Sequence, residues 1–252
     1  MSGPTNLEVD LHVHSEASYD GHEPVELILE HAADIDLDAV VITDHDVIDA
    51  SLEAAERARE YGLIGIPGVE ISTAHGHLLG IGIEELPERG RPMGETIEEV
   101  KELGGAAVVP HPFQRTRHGI RKRRLKRLDP DAIETFNAWL FTGYRNRRAR
   151  RYARRYGYPP VGGSDAHSLL TVGRAYTEIR VDQPIADVGS DDVVAAIRSG
   201  ATAIQGQRAS LKRSSGHYAK AAGRKTAWGA KTAAKKSSNG AQWAVTTALP
   251  FW

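Results

Sequence analysis

The chain has 252 residues, a formal net charge of -1, no cysteine, and 40% hydrophobic against 26% charged residues. That is the balance of a soluble domain with one substantial core, and it excludes disulfides, thiolate metal sites and cysteine nucleophiles. No apolar run reaches the roughly 18–20 residues that span a bilayer, and no charged-then-apolar leader opens the chain, so a cytoplasmic location is expected.

Short runs rich in Val and Ile alternate with helical patterns. Residues 7–14 read as a strand, followed by a helix over 24–33 with Pro24 in its first turn. A second strand spans 39–43, and a second helix runs over 48–61 until Gly62 stops it. Strands are predicted over 63–72 and 77–83, then a helix over 96–103 ended by Gly104-Gly105. Four more strands fall at 106–110, 132–137, 160–163 and 175–181, with helices near 120–128, 144–156 and 191–199. Repeated strand–helix alternation predicts parallel β/α units in a barrel or a doubly wound sheet.

The near-zero net charge conceals a strong asymmetry. Residues 1–114 carry a net -19, 115–155 carry +12, 156–200 carry -3, and 201–252 carry +9. Two basic blocks on an acidic body suggest contact with a polyanion.

Six of the eleven histidines sit at or just past a predicted strand. In Asp10-Leu11-His12-Val13-His14-Ser15, the i, i+2 rule of a strand puts Asp10, His12 and His14 on one face. Thr43-Asp44-His45-Asp46, Gly68-Val69-Glu70, His77, His111 and Gly163-Ser164-Asp165-Ala166-His167 repeat the theme along the chain. Strand carboxyl ends converge in parallel β/α folds, where active sites lie. Nitrogen and oxygen donors without sulfur suit Zn, Mn or Fe, and nine candidate ligands suit two or three ions rather than one.

These runs, together with His111-Pro112, resemble the motifs of the polymerase and histidinol phosphatase (PHP) family over roughly residues 6–182. The resemblance implies an α/β distorted (β/α)7 barrel holding two or three divalent ions for phosphoester hydrolysis. On its pattern His12, His14, Glu70 and Asp165 hold one ion. Glu70 bridges to a second held by His77 and His111, and Asp20, His45 and His167 hold a third. His77 is preferred to His75, while His22, His31 and His217 match nothing and read as surface residues. A metal-bridging hydroxide would attack phosphorus without a separate protein nucleophile. Asp10, Asp44 and Asp46 are expected to orient ligand imidazoles.

Arg115, Arg117 and His118 follow His111 closely and are the expected grip on a phosphate, since a guanidinium can bind phosphate bidentately. The arginines and lysines of 121–127 and the seven arginines of 145–155 extend the basic block toward a possible nucleic-acid contact. Residues 1–200 are read as the phosphoesterase barrel. Residues 201–252 are read as a basic tail without acid, partly disordered or a docked helix. The expected substrate is a nucleotide, a nucleoside bisphosphate or a short RNA end. The alternatives are a histidinol-phosphatase-like metabolite phosphatase, a nucleic-acid-binding module with structural metals, and amidohydrolase-type chemistry; the last is disfavoured because no lysine falls at a strand end.

Overall fold

The computed structural model describes residues 4–114, 118–139 and 143–206. Arg115, Arg117, His217 and the tail from 207 onward lie outside the described residues. Nine strands and six α-helices alternate through the described chain. They are β1 (Thr5–Val13), α1 (Val25–Asp34), β2 (Ala39–Ile42), α2 (Asp49–Arg57), β3 (Gly68–Thr73), β4 (Gly76–Ile81), α3 (Met93–Glu102) and β5 (Ala106–Val109). There follow α4 (Lys122–Leu125), β6 (Ala132–Asn137), α5 (Gly143–Tyr156), β7 (Pro160–Gly163), β8 (Tyr176–Val181), α6 (Ser190–Ser199) and β9 (Thr202–Gln205). Gly62 and Gly200 both take φ +76° directly after helical turns, the left-handed stop that glycine adopts at least cost.

The strands form two mixed sheets, β2-β1-β8-β9 and β3-β4-β5-β6-β7, rather than the single barrel that the resemblance implies. Local connections explain the difference. Only two residues separate β3 from β4, so the two form an antiparallel hairpin with no room for a crossover helix. Strand β8 runs antiparallel to both β1 and β9. The pairs β1–β2, β5–β6 and β6–β7 are parallel, as expected of β/α units. Single bridges, Val13 to Ala166 and His45 to Glu70, join the two sheets at one end. Strand β9 lies beyond residue 200, where the sequence reading had begun the tail.

One buried cluster fills the space between the sheets. It includes Leu7, Val9 and Leu11 of β1, Leu79 and Ile81 of β4, Val108 of β5, Val161 of β7 and Ile179 of β8. Val193 and Ile197 of α6 close it. Each such side chain contributes roughly 1.5–3 kcal/mol when fully buried. A second cluster packs α3, α4 and α5 against the five-stranded sheet through Ile97, Val100, Leu125 and Tyr152. Among the described residues no helix is long and apolar enough to cross a membrane.

Candidate metal centre

The site lies where the two sheets are bridged. Between Asp10 and Val13 the register of β1 against β2 shifts by one residue, a bulge that resets the alternation of side chains. Leu7, Val9 and Leu11 therefore fill the core, and His12 and His14 emerge together at the site. Glu70 comes from β3. His77 starts β4, and because β4 runs antiparallel, its first residues stand beside the last of β3. His45, His111, Asp165 and His167 follow β2, β5 and β7 directly. Asp20 arrives on the loop after β1, where the Ser18 hydroxyl holds it at 2.8 Å.

All nine sequence-predicted ligands meet here, in five overlapping groups of three with potential ligand atoms within 4.8 Å of one another. His12 Nε2 lies 3.3 Å from Glu70 Oε2 and 3.7 Å from Asp165 Oδ1. His14 Nε2 lies 3.4 and 3.5 Å from the same two oxygens. Ligands of one tetrahedral ion with bonds of roughly 2.0–2.1 Å sit about 3.3–3.4 Å apart, so these four spacings have the dimensions of a coordination shell. The other Glu70 oxygen, Oε1, lies 2.9 Å from His77 Nδ1 and 3.1 Å from His111 Nε2. Asp20 Oδ2 lies 3.0 Å from His167 Nε2 and 3.4 Å from His45 Nε2.

The chemistry of the donors fits a divalent cation. His14 is buried with neither ring nitrogen hydrogen-bonded, and His45 Nδ1 and His111 Nδ1 are likewise without a partner. Leaving buried polar atoms unsatisfied is costly unless something else supplies the missing interaction. His167 Nδ1 donates to the Asp165 carbonyl at 2.8 Å, which leaves Nε2 with its lone pair. Burial depresses the His14 imidazole and favours the neutral form that can ligate. Burial opposes charge on His12 as well, but the carboxylates of Asp165, Glu70 and Glu134 hold it well above the ordinary imidazole range. Glu70 is held well below the carboxylate range, despite its burial, by His12 and by hydrogen bonds from His111 and His77. Asp20, which burial would raise, is likewise held far down by His167 and His45. The centre is thus an anionic pocket that demands positive charge.

Backbone strain accompanies these positions. His111 has φ +27° and Asp165 φ +54°, a region that costs a non-glycine residue about 1–3 kcal/mol. The fold imposes this cost at two residues whose side chains face the centre.

Three expectations are corrected. Asp10, Asp44 and Asp46 bind backbone rather than imidazoles. Asp10 accepts from the amides of Ser164 and Gly173, both at 2.9 Å, and burial pushes its carboxyl up to about 6. Asp44 takes the Ser15 amide at 2.7 Å and its hydroxyl, and Asp46 takes the Ser72 amide at 2.7 Å. The ring-orienting role falls instead to Glu134 of β6, whose Oε1 accepts from His12 Nδ1 at 3.0 Å. Its other oxygen accepts from the His111 amide at 2.6 Å and from Asn137 Nδ2 at 2.9 Å, and the same Asn137 amide reaches Asp165 Oδ2 at 3.0 Å. The sequence signal for Glu134 was a single charged residue inside an otherwise uncharged strand. His31, read as a surface residue, is buried in α1, whereas His22 is exposed as expected.

Arg115 and Arg117 fall outside the described residues, but His118 stands at the mouth of the centre. Its ring stacks on His77 at 5.0 Å, and Tyr19 stacks on His45 at 4.8 Å. Both rings border a cavity of about 610 Å³ that also takes in His75, His77, Arg121 and Arg124. Those two arginines are the described phosphate-binding candidates closest in kind to the pair expected from sequence.

The fold and the centre define a class, and comparison with known proteins gives its family. The PHP domain profile matches residues 10–146, and a PHP-associated profile matches residues 143–202. The chain belongs to the PHP domain family. An uncharacterized protein of Methanocaldococcus jannaschii is 33% identical over 150 residues, covering 56% of this chain and 87% of that one. A 3′,5′-nucleoside bisphosphate phosphatase of Chromobacterium violaceum is 32% identical over 109 residues, 36% of this chain and 38% of its own. A phosphoribosyl 1,2-cyclic phosphate 1,2-diphosphodiesterase of Eggerthella lenta is 34% identical over 96 residues, 35% of this chain and 36% of its own. The fold is similar to that of a two-domain Bacteroides vulgatus protein containing a predicted PHP-like metal-dependent phosphoesterase. There the TM-score is 0.67 at 20% identity, with 82% of this chain and 66% of that one covered.

Proposed function

We propose that this protein is a metal-dependent phosphoesterase that hydrolyses a phosphate ester on a nucleotide, a nucleoside bisphosphate or a nucleic-acid end. The observation that carries the reading is the ligand-scale spacing of His12, His14, Glu70 and Asp165, with a buried His14 ring neither of whose nitrogens is hydrogen-bonded. His12, His14, Glu70 and Asp165 would hold one ion, Glu70 with His77 and His111 a second, and Asp20 with His45 and His167 a third. Bound divalent ions, Mn, Zn or Fe by donor type, supply charge neutralisation for phosphate oxygens and lower the pKa of coordinated water.

The residues of the chain prepare that chemistry. Glu134 accepts from His12 Nδ1 and keeps a proton there, so that Nε2, once it gives up its own proton, would face the centre as a lone-pair donor. Asn137 ties Glu134 to Asp165 and makes the two carboxylates move as one. Tyr19 and His118 cap the rings beneath them and limit the approach of bulk water. Arg121 and Arg124 present guanidinium groups in the adjoining cavity, where they would bind a second phosphate of the substrate. The named relatives that act on a nucleoside bisphosphate and on a ribosyl cyclic phosphate support a substrate of this kind.

The test is reconstitution. Metal-stripped protein reloaded with Mn, Zn or Fe is assayed on p-nitrophenyl phosphate, a nucleoside 3′,5′-bisphosphate and a short 5′-phosphorylated RNA. Release of phosphate only with metal, and its loss in His12→Ala, is expected. A His12→Ala protein as active as the parent on all three would overturn the reading.

A further inference from the structure

A second hollow, sharing no lining residue with the metal centre, runs along α5. It has a volume of about 470 Å³ and is walled by the aromatic rings of Phe113, Tyr144, Tyr152 and Tyr156. Such a volume is within the range of sites that take a small ligand. Arg147, Arg148, Arg151 and Arg155, with Lys122 of α4, line the same hollow.

The sequence of α5 explains how this surface arises. Asn146, Ala149, Tyr152 and Ala153 turn inward, so the seven arginines of the helix fall on the remaining face. Arg147, Arg151 and Arg155 recur every fourth residue, about 6 Å apart along the axis. Like charges at that spacing repel one another and destabilise a helix. No acid lies in α5, and no carboxylate among the described residues forms an ion pair with any of its arginines. The helix therefore carries an uncompensated row of guanidinium groups.

A second observation points to a ligand independently of charge. The Tyr152 side chain is buried to 4% exposure and borders the hollow, yet its hydroxyl has no hydrogen-bond partner. A buried hydroxyl without a partner is costly. Burial also pushes that phenol up to about 12, so it remains a proton donor. The Arg148 guanidinium lies 4.6 Å over the Phe113 ring, and those of Arg145 and Arg155 lie 5.6 and 5.8 Å from the Tyr144 and Tyr156 rings. Aromatic faces interleaved with guanidinium groups are what a base with its phosphates requires. Phosphate alone would need only the charges.

We propose that this hollow is a second binding site, for a nucleotide unit whose base stacks on the tyrosines and whose phosphates lie along Arg147 and Arg151. The same chemistry is offered by a free nucleotide and by a unit within a single strand. The site does not depend on the phosphoesterase reading, because none of its side chains belongs to the metal centre.

Titration calorimetry on the full, metal-loaded chain tests it with α,β-methylene-ADP, which resists hydrolysis between its phosphorus atoms. Two classes of site are expected. The double variant Arg147→Glu with Arg151→Glu should weaken one of them at least about tenfold, because two charge-assisted contacts become repulsive. Both positions are exposed, so an unchanged melting temperature will show that folding is intact. Hydrolysis of p-nitrophenyl phosphate should also be unchanged in that variant. His14→Ala should leave the α5 class in place and alter only the other. Tyr144→Ala should weaken the nucleotide roughly tenfold while leaving methylenediphosphonate binding at the hollow unaltered, since stacking contributes only to the base. Displacement of the nucleotide by a short single-stranded oligonucleotide would assign the site to a strand, and failure to displace would assign it to free nucleotide. An arginine variant that binds like the parent, or equal binding of nucleotide and diphosphonate at the hollow, would overturn the proposal.

Discussion

The metal centre and the α5 face are both rich in charge, yet they are built on opposite principles. At the centre, Asp20, Glu70, Glu134 and Asp165 are interleaved with six imidazoles, mostly buried and within contact distance of one another. On α5 the seven arginines project from one helix and find no carboxylate among the described residues. Burial makes the first expensive to assemble and therefore exacting in geometry. Exposure makes the second cheap to assemble, and water and salt screen it until a ligand arrives. A tightly fixed buried centre and a solvent-screened cationic surface follow from that difference in desolvation.

The sharpest way to break the contrast is to remove Glu70, whose two oxygens face His12, His14 and His45 on one side and His77 and His111 on the other. Glu70→Ala should lower kcat/KM on p-nitrophenyl phosphate by about a thousandfold or more and reduce the bound metal, measured by elemental analysis. Glu134→Gln should act one step back. It keeps the shape but weakens the hold on His12 Nδ1, and a roughly 10–100-fold loss in metal affinity or activity is expected. Arg121→Ala with Arg124→Ala should raise KM for a bisphosphate about tenfold while leaving kcat near the parent value, because the arginines lie in the cavity beside the centre rather than in it.

The smallest effect concerns pH. His12 and His45 are held above their ordinary range by neighbouring carboxylates against the opposing effect of burial. Their contribution to the stability of metal-stripped protein is full below about pH 6.5 and is lost as pH rises through their raised values. His14, depressed by burial, works in the opposite direction and partly offsets them. Metal must displace the His12 proton to bind, so the rise in Tm on adding metal should be larger at pH 8 than at pH 6. An equal rise at both pH values would show that protons and metal do not compete at these imidazoles.

Most of the candidate metal ligands were legible because they stand near a strand end with a histidine or acid at short spacing, a local pattern; Asp20, on the loop after β1, was legible only through the family resemblance. His77 was legible only in part, since its place depends on the tight turn that makes β4 antiparallel. Glu134 was not legible, because one acid in a strand resembles any other until the fold brings it against His12. Asp10 misled for the complementary reason. The i, i+2 rule holds for an unbroken strand, and the β1 bulge breaks it. The buried His31 was missed because its polar identity was weighed above its place, three residues after Ile28 and four after Leu27, on the apolar face of α1.

By itself, the sequence determined the order of most elements from periodicity over short spans and, through its likeness to a family's motifs, nine candidate side chains. The tertiary structure decided which contacts those side chains make, that the strands form two bridged sheets, and that Glu134 rather than the nearby aspartates orients an imidazole. It also turned a basic stretch into a walled hollow with a buried, unpartnered hydroxyl. Hydrogen bonds and cavities depend on residues far apart in the chain, and only folding sets those distances.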